Sequence, residues 1–139
     1  MTRQPDIEIY VSDIGHDRLV TWVESRLGAM SPLDRFADVT VYESTCGVVV
    51  ITPGIEGGPF TSVWFTSPDA PWASDVDCAR AAAADLECVV RCEPGEAFPE
   101  VSPFADVFFE SNGQSESLVL WGCSETRELN QAHSDPPSN

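Results

Sequence analysis

Short apolar segments at strand period, divided by turn residues and interrupted twice by helix-period stretches, constrain this chain most. Ile7-Glu8-Ile9-Tyr10-Val11 alternates apolar and polar positions and is rich in β-formers, which predicts a strand with one buried face. Leu19, Val20, Val23 and Leu27 then recur at helical spacing beside Trp22, and Gly28 stands where a glycine closes a helix. Asp13 or Asp17 is the expected cap at the start of that helix. Ser31-Pro32-Leu33-Asp34 reads as a turn. Residues 38–43 alternate and predict a half-exposed strand. Residues 47–52 are almost continuously apolar and predict a central strand buried on both faces. The intervening Ser44-Thr45-Cys46 is short enough for a hairpin. A Gly/Pro loop over 53–59 leads to a further strand over 60–66.

The second half repeats the scheme. Ser74 is an N-cap residue with Asp75 in the first turn and Asp77 three positions on, a capping box with Asp in place of Glu. An Ala-rich helix runs from there to Leu86. Residues 88–92 return as a strand stopped by Pro94-Gly95, and an acidic, Pro-bearing loop follows over 93–103. Residues 106–110 and 117–121 read as strands joined through Asn112-Gly113, a hairpin signal lengthened by Ser115 and Glu116. The element order is β-α-β-β-β-α-β-β-β. It predicts an α+β fold: a mostly antiparallel sheet of six to seven strands with two helices on one face, their apolar stripes buried against it. Trp22 and Trp64 fall on patterned positions and are expected in the core. Residues 1–6 read as a flexible lead, 7–123 as a single globular domain, and 124–139, ending in Pro136-Pro137-Ser138-Asn139, as a flexible polar tail.

Charge narrows the partners. The chain has 23 Asp and Glu against 7 basic residues, all arginine, for a net charge of −16 over 139 residues. Charge of this size opposes compaction and favours basic partners. It argues against direct binding of nucleic acid, whose phosphates would be repelled. High solubility, or the composition of a high-GC genome, explains the same numbers without a partner. No apolar run approaches the about 18 residues of a membrane span. Met1-Thr2-Arg3-Gln4-Pro5-Asp6 has no apolar signal core, so a cytoplasmic protein is expected. The five cysteines are then expected as free thiols.

Chemistry is weakly signalled. Cys88 and Cys92 bracket a strand segment with no CxxC and no adjacent His, which predicts small core side chains rather than zinc ligands. The two histidines, His16 at the first helix and His133 in the tail, assemble no nucleophile and base pair. The glycines at 54, 57 and 58 lack the Lys and following helix of a phosphate cradle. Carboxylate pairs such as Asp75/Asp77 and Glu96/Glu100 read as a helix start and a solvated loop. Neither a cofactor nor enzymatic activity is expected.

The loops carry the stronger signal. Trp72 precedes the second helix, where it either staples the helix start or forms an exposed anchor, with Asp69, Asp75 and Asp77 around it. The second loop offers Glu93, Glu96, Phe98, Glu100, Phe104 and Asp106. Carboxylates beside aromatic anchors suit capture of Arg/Lys-rich surfaces, the aromatics giving contact area and the charges steering.

The 7–28 strand and helix, Phe60-Thr61-Ser62-Val63-Trp64-Phe65, and the run from Pro71-Trp72-Ala73-Ser74-Asp75 to Glu93-Pro94-Gly95 form a pattern that resembles immunity proteins of bacterial polymorphic toxin systems, including contact-dependent growth inhibition. The resemblance implies a non-enzymatic protein that binds and blocks one cognate toxin; the charge adds the expectation of a basic toxin, such as a nuclease. Two alternatives stand beside it: a DNA-mimic or anti-restriction inhibitor, and a small enzyme or metal-binding domain. The oligomeric state is not legible.

Overall fold

A computed structural model of the protein describes residues 6–66, 69–102 and 106–121. Residues 1–5 of the expected lead, the expected tail, Phe104, Cys123 and His133 lie outside the described residues.

The fold is α+β, an antiparallel sheet with two helices. β1 (Ile7–Ser12), α1 (His16–Leu27), β2 (Ser31–Phe36), β3 (Val39–Ser44), β4 (Gly47–Thr52), β5 (Phe60–Phe65), α2 (Asp75–Leu86), β6 (Val90–Cys92), β7 (Val107–Ser111) and β8 (Glu116–Leu120) follow in order. Eight strands lie in the order β2-β3-β4-β5-β1-β6-β7-β8. β1 is thus central, flanked by β5 and β6.

The additional strand is β2, where the sequence reads as a turn. Every residue of β2 is exposed, so it has no alternating pattern to betray it. It exists because β3 offers an open edge, and it pairs with β3 from Ser31↔Glu43 to Phe36↔Val39 with a register shift between Pro32 and Asp34. Proline, a bulge and two charged side chains protect this sheet edge from further pairing.

Alternation assigns the two sheet faces. Ile7, Ile9 and Val11 of β1 point toward the helices with Val49, Ile51, Val63, Phe65, Val90, Cys92 and Phe109, and all are buried. Each fully buried side chain of the Val, Ile or Phe type stabilises the fold by about 1.5–3 kcal/mol. α1 contributes Leu19, Trp22, Val23 and Leu27, and α2 contributes Val76, Cys78, Ala79, Ala82, Ala83 and Leu86. The small residues of α2 let it lie close to β1, β6 and β7.

Local signals act mostly as their chemistry dictates. Ser74 caps α2, its Oγ accepting from the Asp77 backbone N–H at 3.2 Å. Gly28 closes α1 at φ +89°, donating its N–H to the Glu24 carbonyl. The expected cap at the other end of α1 is absent: Gly15 holds that place with no side-chain cap, because Asp13 is turned into a left-handed conformation (φ +50°). Gly113, at φ +92°, lets the β7–β8 turn approach α2 so closely that a Cβ there would meet the Ala83 carbonyl oxygen at 2.9 Å.

Two core expectations are corrected. Trp64 is 41% exposed, since its register opposite Glu8 places it on the face away from the helices. β4 is not buried on both faces: Val49 and Ile51 are buried, but Val48 and Val50 are only half-buried. Both follow from one fact, that the helices cover a single side of the sheet.

Candidate functional site

The charge is distributed unevenly because the described arginines are largely committed inside the protein. Arg18 donates to the Leu86 carbonyl at 2.9 Å, and Arg26 bonds Asp85. Arg80 grips Glu116 through Nε and Nη2 at 2.9 and 3.1 Å. Arg91 pairs with Glu110 at 2.9 Å. Asp75, Glu93 and Glu96 form no ion pair with these described arginines.

These three converge at the start of α2. A cleft of about 320 Å³ between this helix and the chain after β6 is lined by Asp75, Glu93 and Glu96 together with Asp6, with Ser74 and Pro94 between them and, among the described residues, no arginine. The fold builds this cluster from three places. Ser74 starts α2 and so fixes Asp75 in its first turn. β1 begins next to it with Asp6 and Ile7. β6 is only three residues long, and Glu93-Pro94 then leaves the sheet, so the β1–β6 ladder covers only Tyr10↔Arg91 and Val11↔Val90. Beyond that ladder, Asp75 forms a hydrogen bond with the backbone of Glu8.

Burial, reinforced by the negative charges of Glu93, Glu8 and Asp6, raises the Asp75 carboxyl to about 7, while the Glu8 backbone hydrogen bond pulls the other way. Tyr10 feels the same surroundings. Its hydroxyl is pushed up by burial first, then by the charge of Glu8 and a hydrogen bond to it. Near neutral pH the cleft therefore holds the Asp75 carboxyl near its midpoint with further acidic side chains around it, a place where an arriving cation is favoured.

The other residues expected to bind a partner separate into different groups. Phe98 is half-buried and stacks on Phe109 with ring centroids 5.7 Å apart. With Glu100, Arg80 and Glu116 it lines a second cleft of about 360 Å³. Asp77 is exposed, 3.9 Å from Arg80 one turn on in α2. Asp69 and Asp106 are exposed, and neither lines the two clefts. Trp72 is not an exposed anchor. It is 7% exposed, stacked on Trp22 at 5.5 Å and packed on Phe65 at 5.1 Å, so it staples the start of α2 to α1 and β5.

The thiols belong to the core. Cys78 and Cys92 are buried, and burial raises both well above the usual thiol range. Cys88 lies just before β6 rather than within it, half-buried, and burial raises it as well. Protonated thiols are poor nucleophiles and poor metal ligands. Among the described residues no group of three or more His, Cys, Asp or Glu is placed to hold a metal ion. His16 bonds the Tyr42 hydroxyl at 2.7 Å and joins α1 to β3. A further cleft of about 500 Å³ between the end of α2 and the 112–114 turn is lined mainly by alanine and turn residues.

Sequence reasoning missed the face of the sheet opposite the helices. Tyr10, Phe60, Phe108 and Trp121 cluster there around Arg91, whose guanidinium lies 4.8 Å from the Phe60 ring and 5.0 Å from the Trp121 ring. The available signal was β4, apolar at successive positions on a strand that only one layer of helices covers.

No helix among the described residues is long and apolar enough to cross a membrane. Compared with protein-family models, curated proteins and solved structures, the chain matches none.

Proposed function

We infer that this protein is an acidic, cytoplasmic inhibitor of the immunity type, which acts by binding and blocking a cognate basic toxin rather than by chemistry of its own. The observation that carries this reading is the carboxylate cleft where Asp75, Glu93 and Glu96 gather beside Asp6, while the described arginines are mostly spent on internal partners elsewhere. A fold that maintains a buried carboxyl at about 7 beside like charges tolerates a local cost. A cationic side chain from a partner relieves that cost, which links binding to the feature. The same charges accelerate encounter, toward about 10⁸–10⁹ M⁻¹s⁻¹ at low salt. A nuclease fits as the target, because a surface that holds phosphates is basic.

The test is affinity capture with the tagged full chain at low and moderate salt, followed by expression of the captured protein alone and together with this chain. The expected result is one stoichiometric partner with a basic C-terminal region, toxic alone and harmless in co-expression, whose association slows as salt rises. Capture of many DNA-binding proteins would replace the reading with a DNA mimic. Capture of none would leave the charge as a solubility trait.

A further inference from the structure

The helices cover one side of the sheet, and the other side, among the described residues, is open, apolar and acid-rimmed over β2–β5. Register places Val41, Val50 and Trp64 side by side in one row across β3, β4 and β5. Asp34 ends that row on β2 and Glu8 ends it on β1. Val48, in the adjacent row, lies opposite Glu43, and Phe36 lies on the same face at the edge. Trp64 is 41% and Phe36 56% exposed, the two exposed large aromatic side chains among the described residues. Arg35 pairs with Thr40, a position of opposite parity, so β2–β5 contribute no arginine of their own to this face; Arg91 of β6 reaches it only at Phe60, where its Nε is held by Glu110. An exposed apolar surface rimmed by polar groups marks an interaction site.

We propose that this open face of β2–β5 is the docking surface, and that its occupant is a basic protein surface with an apolar ridge flanked by Arg or Lys. The ridge packs on Val41, Val50 and Trp64, and the cations meet Asp34, Glu43 and Glu8. Charge complementarity selects this occupant. A second copy of the chain would bring another −16 against an already acidic rim. The surface is continuous with the carboxylate cleft, because the Trp64 indole N–H donates to Asp6 Oδ2 at 3.2 Å and Asp6 lines that cleft. The proposal rests on the reading of a basic partner and adds the place where it docks. Trp64 is the anchor, an aromatic side chain near the centre of the patch of the kind that dominates binding energy.

The experiment titrates the full chain with two short synthetic peptides, one alternating Arg with Leu and one alternating Arg with Ser, by fluorescence anisotropy at low and moderate salt. The expected result is that the Arg–Leu peptide binds about tenfold or more tighter, and that Trp64→Ala removes this advantage. Phe36→Ser reduces it independently; both positions are exposed, so circular dichroism should show unchanged folds. Glu93→Gln with Glu96→Gln weakens both peptides alike. Equal binding of the two peptides, insensitive to Trp64→Ala and Phe36→Ser but lost in the Glu93/Glu96 variant, would overturn the docking face while leaving a basic partner standing. Binding of neither peptide would overturn both. Light scattering of the free chain closes the remaining route: a dimer abolished by Trp64→Ala would assign the face to self-association instead.

Discussion

Trp22 donates its indole N–H to Asp85 Oδ2 at 2.9 Å, and this single carboxylate, also bonded by Arg26, ties α1 to α2. Trp22 is 5% exposed, so its N–H has little access to water and needs the acceptor. The hydrogen bond from Trp22 first, and that from Arg26 second, hold Asp85 below the usual carboxylate range. Asp85→Ala leaves the indole donor without its partner and is expected to destabilise the fold by about 1–3 kcal/mol. The sign with pH follows from the lowered value. The contribution is present above the unfolded-state value near 3.8 and fades as pH falls through the lower folded value. Urea denaturation of both proteins should show the gap narrowing on acidification; a gap that stayed constant would sink the assignment to the ionised carboxylate.

Asp75 behaves oppositely. Its folded value is about 7 against an ordinary 3.8, so between these pH values the folded state holds a proton that the unfolded state has released. Stability from this group is therefore highest below 3.8, declines as pH rises and is fully lost above about 7. Asp75→Asn keeps an oxygen for the Glu8 backbone and removes the charge. The variant should be more stable than the parent at pH 8, with the difference vanishing toward pH 4. Denaturation across that range measures it; a variant less stable at pH 8 would show that the ionised carboxylate is stabilising.

The strands that alternate were legible in the sequence, and so were the capped α2 and the glycine-closed α1, because each is set by local chemistry. β2 was not, because Ser31–Phe36 has no buried face and is held only by pairing with β3. The cleft was half legible. Asp75, Glu93 and Glu96 stand in the two loops singled out, but their meeting with Asp6 and Glu8 depends on β1 lying between β5 and β6. Trp64 came out exposed for the same reason. A strand position tells which residues share a face, not which face the helices cover. A loop position likewise says nothing of the Trp22 and Phe65 rings that enclose Trp72.

The contrast between Trp72 and Trp64 is measurable. Trp72→Ala removes a side chain stacked between α1 and β5 and is expected to cost about 3–5 kcal/mol. Trp64→Ala removes an exposed ring and one hydrogen bond at the surface, with an expected cost of about 1 kcal/mol or less. Thermal melts of the two variants should differ widely in midpoint. Similar midpoints would mean that Trp72 is not the staple it forms here.

Arg91 is the position where a conservative change should fail. Its guanidinium lies between the Phe60 and Trp121 rings at 4.8 and 5.0 Å, while its Nε donates to Glu110 at 2.9 Å. The pair is mostly shielded, with side-chain exposures of 14% and 21%, so salt screens it less than the outer Asp77–Arg80 contact. Lysine keeps the charge but has no planar group to stack on two rings and no Nε donor. Arg91→Lys is accordingly expected to cost about 1–2 kcal/mol, close to the worth of a desolvated cation–π contact. Arg91→Met should cost more, because Glu110 then keeps a shielded charge without its partner. The check is urea denaturation of both variants at low and high salt. Stability of Arg91→Lys equal to the parent at both salts would reduce the contact to an ordinary surface pair, and the aromatic cluster would then have to hold together without the guanidinium.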